Sequence, residues 1–450
     1  MTTVSQQLVD WALDLADEDV PLSTQRAIRR HLLDGTGNAI AARRMGVADF
    51  AVATASRFAP TPAVSIIGGG TTGPEGAAFA NGVLMHGLDF DDTHADALVH
   101  VTSTTAPAAL ALAEADDLAL SDAITSLAVG FEAACRIGMA VEHGFHAKGF
   151  HATSVVGVIA SALVASRMLG LSKEQAVHAL GIAGSQASGN LEFLTTGAST
   201  KRFHPGWASV SGVFAARLAA NGGSGPSTII EGQHGLLNLY TTGEQRIAPI
   251  TDGLGERWEA ERISIKPYPI CQLSHAAVDA LGDIEVDNVD DIERIDVYIP
   301  ATSIAVVAEP RAVKIRPRTP YEAKFSIQWD IAASLIDGSV TVDTFATDPI
   351  ERQDISELAD KVFVHGTDFG GPPATAPGRV IVTTPAGATE GTVPHSNGTP
   401  DAPLSDGALL AKFTLNCGNG VDAAALGRAI LTGTETVAEI LGATKDRQPA

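Results

Sequence analysis

From Val4 to about Ala220 the apolar residues recur mostly at three- and four-residue intervals, and Ala, Leu and Gly dominate over β-branched types. That spacing predicts helices, because it lays one apolar stripe along each turn. Start signals agree with it. Pro21-Leu22-Ser23-Thr24 precedes an expected helix over Gln25 to Ala42, Ser121-Asp122 precedes one over Ala123 to Glu142, and Ser172 with Gln175 forms a capping box. Helices lined with Ala, Gly and Ser approach closely, which suits a multi-helix bundle. After about Ile263 the period shortens to two. Ile292 to Pro300 and Gly378 to Thr384 alternate apolar and polar residues with β-branched types in the apolar slots, and predict strands. Between them Tyr321 to Leu335 and Ile355 to Val362 keep helical spacing, and Asp406 to Cys417 and Asp422 to Leu441 return to helix. The expected fold class is mainly α with α+β. A large all-helical domain covers residues 1–262 and 405–450, and a smaller α+β domain covers 263–404.

Length and charge sharpen this picture. A chain of 450 residues exceeds what one growing core supports, so two domains are expected. Against 30 Lys and Arg stand 52 Asp and Glu, a net charge of −22. No generic binding to nucleic acid or to an anionic membrane surface follows from such a balance, since both need clustered cations. An anionic ligand must find a local cationic pocket. Cys135, Cys271 and Cys417 are too far apart in sequence for a CxxC pair, so disulfide scaffolds and sequence-local zinc or iron-sulfur sites are not expected. The start of the chain has no cationic stretch followed by an apolar run and a cleavage site, and a cytoplasmic protein is expected. Apolar runs such as Ser154 to Ser166 stop short of the roughly 18 residues a membrane span needs.

The densest chemistry lies between Asn81 and His100, where His86, Asp89, Asp91, Asp92, His94, Asp96 and His100 crowd together. Asp91, Asp92 and Asp96 fit a solvated loop as well as a site. Asp89 differs, because it sits between Leu88 and Phe90, and a carboxylate among apolar neighbours must be paired or functional. Asp91-Asp92 with Asp96 is similar to the magnesium-binding acidic motif of terpenoid cyclases. Such sites need aromatic walls and a second metal motif, whereas this chain has 4 Trp, 4 Tyr and no second motif, so no metal is expected. Gly68-Gly69-Gly70-Thr71-Thr72-Gly73 satisfies GxGxxG, but the helix from about Pro74 to His86 runs into the acidic stretch instead of a second strand, and the glycines read as a turn.

Further along, His143, His146, Lys148 and His151 lead into an apolar helix that Thr153 or Ser154 can cap. His151 sits where a helix N-terminus favours an anion, and reads either as a polar cap or as a functional group. Lys201, Arg202 and His204 stand before Pro205-Gly206, and on so acidic a chain a Lys-Arg pair among small polar residues points to carboxylate capture. Lys266-Pro267-Tyr268-Pro269 lies at the domain changeover, and the same logic applies to Lys266. No GxSxG elbow supports a serine hydrolase.

Taken in order, Asn81-Gly82 to Leu88-Asp-Phe-Asp-Asp-Thr-His94, Phe150-His-Ala-Thr-Ser-Val-Val-Gly157, Thr200-Lys-Arg-Phe-His-Pro-Gly206 and Lys266-Pro-Tyr-Pro resemble the MmgE/PrpD family. That family contains 2-methylcitrate dehydratases, cis-aconitate decarboxylases and iminodisuccinate epimerases. The resemblance implies a helical domain with a smaller α+β lid, a homodimer, and action on a small polycarboxylate without metal or organic cofactor. It implies a site using Asp89, Thr93, His100, His151, Lys201 and Lys266. In our reading Lys201 and Lys266, with Arg202 beside them, hold two substrate carboxylates. His100 and His151 exchange protons with carbon, and Asp89 orients or activates one of them.

Two positions depart from the family pattern. Val101-Thr102 replaces Pro-Ser after His100, and Trp329 stands where related decarboxylases carry Tyr, which removes a phenolic hydroxyl. Loss of water, loss of CO₂ and return of the proton to the other face share one proton transfer, so dehydratase, decarboxylase and epimerase outcomes all stay open. A lyase is preferred and an epimerase second. A catalytically inactive binding homologue is a further alternative, and the joint retention of Asp89, His100, His151, Lys201 and Lys266 argues against it.

Overall fold

The computed structural model of this chain describes residues 2–58, 61–196, 198–370 and 375–445. They form two compact units, one drawn from the chain up to Ile263 and from Leu409 onward, the other from Ser264–Ala408. Most described residues of the first unit are helical, and the second carries a small four-stranded sheet. Among the described residues no helix is long and apolar enough to cross a membrane.

In the first unit the helix Ala152–Met168 is buried at every position from Ala152 to Ser166, so it has no polar face and must be surrounded. Helices Thr102–Ala115, Leu120–Met139, Lys173–Ser185 and Phe203–Ala220 pack around it. Small residues allow that density. A Cβ added to Gly212 would lie 2.4 Å from the Ser161 side chain, and one on Gly157 would lie 2.8 Å from that of Thr104. Ser172 and Gln175 form the expected capping box at Lys173–Ser185. The helix expected from Ala123 instead starts at Leu120 and ends at Met139, and Asp122 accepts from the Ala119 N–H at 3.1 Å from inside the first turn. Gly68, Gly69 and Gly70 all take positive φ in the turn between the paired strands Val64–Ser65 and Thr71–Thr72, a conformation open to glycine without penalty.

In the second unit the strand order is Val362–Thr367, Arg294–Pro300, Gly378–Thr384, Gly387–Val393. The first pair is parallel, with Ile295 opposite Val362, and the other two are antiparallel. Ile295, Val297, Ile299, Val380 and Val382 point into a core shared with the helices Gln272–Ala280 and Ile327–Asp337. The helix expected over Tyr321 to Leu335 breaks at Lys324–Ser326, because the Ser326 hydroxyl accepts the Trp329 N–H and starts a new helix. Residues Asp422 to Leu441 likewise split into Ala423–Thr432 and Val437–Gly442, the second opened by a Thr436–Glu439 capping box.

Candidate active site

The helices Pro74–His86 and Phe203–Ala220 meet glycine to glycine. A Cβ on Gly82 would lie 2.6 Å from the Gly206 Cα, so only bare backbone fits on either side. Gly82 is one turn before His86, and Gly206 follows His204 by two residues, so the crossing draws the end of one helix towards the start of the other. Beyond His86 the chain turns abruptly. The Asp89 N–H donates to the His86 carbonyl at 2.9 Å, and Asp89 takes φ +55°, a left-handed conformation uncommon for a residue with a Cβ.

Three carboxylates of this turn have different fates. Asp92 is buried and accepts from the Thr102 N–H at 3.2 Å and its hydroxyl at 2.5 Å, capping the helix Thr102–Ala115 from a distance, with His31 Nδ1 at 2.9 Å. Asp96 is exposed and lies 3.6 Å from Arg262, the solvated reading. Asp91 is fully buried. Both its oxygens lie 2.9 Å from His86 Nδ1, and Oδ1 is 3.2 Å from His100 Nδ1. Burial alone would raise its pKa, yet the His100 and His86 rings outweigh that and hold it well below the usual carboxylate range.

Asp89 and Lys201 meet at 2.7 Å, and Asp89 Oδ1 lies 3.8 Å from His100 Nε2. The Thr93 hydroxyl is 3.4 Å from His100 Nδ1. His100 therefore stands between two carboxylates. Asp91 faces Nδ1, where it fixes the ring as an orienting carboxylate does, and Asp89 is the more distant partner of Nε2. Asp91 is thus the nearer of the two carboxylates to the His100 ring.

The His86, His100 and His151 rings cluster with centroids 4.5 to 6.1 Å apart. His151 Nδ1 lies 3.0 Å from His204 Nδ1, so one ring donates and the other accepts. Burial, then the charge of Lys201, pushes the His151 pKa well below the ordinary imidazole value, and His146 and His204 are pushed down to about 4 chiefly by burial. Several neutral imidazoles therefore stand beside a cation at neutral pH.

Asp89, Thr93, His100 and Lys201 are brought together, with the His151 ring in the same cluster. Arg202 is turned elsewhere: its guanidinium donates to the Val47 carbonyl at 3.3 Å. Lys266 belongs to the second unit, in a segment pinned by a 2.9 Å bond from the Ile265 N–H to the Gly398 carbonyl. Thr153 does not cap its own helix. Its hydroxyl accepts the His100 N–H at 3.1 Å, so it holds the backbone at His100 instead. His86, Asp91 and His204 join this cluster although the sequence gives none of them a role. His86 and Asp91 carry a weak signal, two ionisable groups straddling a helix end.

His86, His100 and His151 offer ligand atoms within 4.8 Å of one another, and so do His86, Asp89, Asp91 and His100. Nitrogen and carboxylate donors at that separation suit a transition-metal ion after modest closure. The same groups, with Lys201 beside them, also suit proton transfer next to a bound anion.

Two domain models match the chain: the MmgE/PrpD N-terminal domain over residues 6–247 and the MmgE/PrpD C-terminal domain over 268–432. The chain belongs to the MmgE/PrpD family. Among curated relatives, the cis-aconitate decarboxylase-like protein oryM of Aspergillus oryzae is 27% identical over 450 residues, covering 94% of this chain and 92% of the relative. The cis-aconitate decarboxylase of Aspergillus terreus is 29% identical over 383 residues, with 80% and 77% covered. The human cis-aconitate decarboxylase is 32% identical over 302 residues, with 64% and 61% covered.

Proposed function

We propose that this chain is a lyase acting on a small polycarboxylate, moving protons between imidazole and a carbon next to a carboxylate, without a cofactor. The carrying observation is the Lys201–Asp89 contact of 2.7 Å beside His100. A cation that can take a substrate carboxylate and a base that can exchange a proton stand at one place. Negative charge that develops on the substrate in the transition state is stabilised by the fixed cation. Asp91 supports this reading from below, since an ionised carboxylate on His100 Nδ1 leaves Nε2 for the substrate and stabilises the imidazolium formed there. His151, neutral and buried, is the second proton carrier. Lys266 is assigned to a substrate carboxylate by its motif.

Among the lyase outcomes, the curated relatives favour decarboxylation of a cis-aconitate-like acid. In that step the carbon–carboxylate bond breaks, CO₂ leaves, its electron pair shifts through the adjoining carbon–carbon double bond to the carbon beside a remaining carboxylate, and an imidazolium gives a proton there. Trp329 bears on it little, being fully buried in the second unit's core with its ring 5.5 Å from that of Phe345. An epimerase reading stands second and rests on His100 and His151 as two separate imidazoles, ring centroids 6.1 Å apart, one removing and one returning a proton. The test is incubation with cis-aconitate, methylcitrate, citrate and aspartate-derived diacids, followed by proton NMR. Release of CO₂ or water from one of them supports the lyase, inversion without loss supports the epimerase, and no change in any contradicts both.

A further inference from the structure

The turn that carries Asp89 and Asp91 is held from beneath by a buried charge. Phe90, the residue between the two carboxylates, offers its carbonyl to Lys412 Nζ at 3.2 Å and to Asn38 Nδ2 at 3.1 Å. The same ammonium lies 3.5 Å from the centroid of the Phe90 ring and 2.5 Å from Asp34 Oδ1. Asn38 Nδ2 also donates to Asp34 Oδ2 at 3.1 Å, and Asn416 Nδ2 donates to Asn38 Oδ1 at 3.0 Å. Lys412 and Asn416 come from the helix Asp406–Cys417, and Asp34 and Asn38 from Leu22–Arg44. All four are buried: Lys412 is 8% exposed and Asp34 2%.

A buried ion pair is a poor source of stability, because desolvation cancels most of its attraction and apolar residues of equal volume often serve better. Its geometry here does something an apolar pair cannot. An ammonium bonded to the Phe90 carbonyl and stacked on the Phe90 ring holds that residue by both its backbone and its side chain. One residue back, Asp89 is held at positive φ against Lys201, and one residue on, Asp91 is held against His86 and His100.

We propose that Lys412 is a positioning residue for the site, fixing the Phe90 peptide so that Asp89 and Asp91 keep their separations from Lys201 and His100. The proposal rests on the lyase reading for its kinetic consequence but not for its geometric one. Asp34 and Asn38 are its supports, holding the ammonium and the same carbonyl.

The experiment compares Lys412→Met with the double variant Asp34→Asn/Lys412→Met and with Lys412→Arg. The single variant leaves Asp34 buried without its cation, so it loses stability for a reason unrelated to positioning. The double variant removes both charges and is the informative one. Its melting temperature is expected to return towards wild type. Its kcat on the active polycarboxylate is expected to stay about 10- to 100-fold low with KM little changed, the scale seen when a supporting partner of a reacting group is lost. The imidazole ¹⁵N resonances of His86 and His100 are expected to shift in both Met variants and to move back in Lys412→Arg. If the double variant has wild-type kcat and unshifted histidine resonances, Lys412 is only structural and the proposal is overturned. If the wild-type protein turns over no polycarboxylate, the lyase reading fails, and the resonances alone decide whether Lys412 positions the turn.

Discussion

Lys201 and Asp89, 112 residues apart in sequence, meet at 2.7 Å with both side chains mostly shielded from solvent. In the proposed site, Asp89 is the resting partner of Lys201 that a substrate carboxylate would displace or join. Removing each partner should therefore have opposite effects on binding. Lys201→Ala is expected to weaken binding of a tricarboxylate by roughly 2 kcal/mol, about 30-fold. Asp89→Asn should bind the anion as well or better and turn it over more slowly. Isothermal titration calorimetry with steady-state rates separates the two, and equal loss of affinity in both variants would contradict the arrangement. Lys266→Ala, chosen on its motif, is expected to weaken binding in the same direction as Lys201→Ala.

Asp91 faces two imidazoles and is held ionised by them. Asp91→Asn keeps the volume and removes the charge that fixes the His100 tautomer. Turnover is expected to fall about 10- to 100-fold with an unchanged far-ultraviolet circular dichroism spectrum. Wild-type kcat in this variant would show that His100 needs no carboxylate at Nδ1.

Burial pushes His146 and His204 from 6.5 down to about 4, with Lys201 adding to the effect. In the unfolded chain they take protons near the ordinary value, so between about 6.5 and 4 the unfolded state binds more protons than the native one. Their contribution to stability is full above 6.5 and is lost as pH falls through that window. Glu132, pushed up to about 7 by burial, and Asp34, pushed up to about 6, act in the opposite sense over much of the same range. The histidine share is isolated by difference. Urea midpoints for wild type and His204→Asn at pH 7 and pH 4.5 should show wild type losing more stability on acidification than the variant. A variant that loses as much as wild type would contradict the low imidazole pKa.

The His86, His100 and His151 cluster has the spacing of a metal site, yet the proposed chemistry needs none. Exhaustive treatment with EDTA is expected to leave turnover intact. Loss of activity restored by a divalent ion would make this cluster a metal centre and the proton-transfer assignment wrong.

Much of this site was legible in the sequence because its residues sit in short motifs with unusual composition. Asp89 stood out as a carboxylate between Leu88 and Phe90, and Lys201 as a cation on an acidic chain. Both lie at one point in space. What the sequence hid is what depends on tertiary approach. Asp91 looked as much like a loop carboxylate as a site residue until the fold buried it under two imidazoles. Arg202, adjacent to Lys201, donates to the Val47 carbonyl, because neighbours at the end of the tight helical turn Ser199–Arg202 point in different directions. Thr153 has the residue type of a helix cap and bonds instead to the backbone of His100, 53 residues away. In the second unit the strand Gly387–Val393 leaves no sequence signature, because it is exposed along most of its length and carries no alternating apolar pattern.

In the proposed reaction imidazole moves a proton to or from a carbon beside a carboxylate, with Lys201 and Asp89 at that place. The most direct measurement is proton NMR of the reaction in D₂O with cis-aconitate, comparing wild type with His100→Gln and His151→Gln. Loss of CO₂ sends its electron pair through the double bond to the carbon beside a remaining carboxylate, so deuterium is expected at that carbon in the wild-type product, formed about 100-fold more slowly in the variants. Turnover that gives a decarboxylated or epimerised product with no solvent-derived deuterium on carbon, or wild-type rates in both histidine variants, would contradict it.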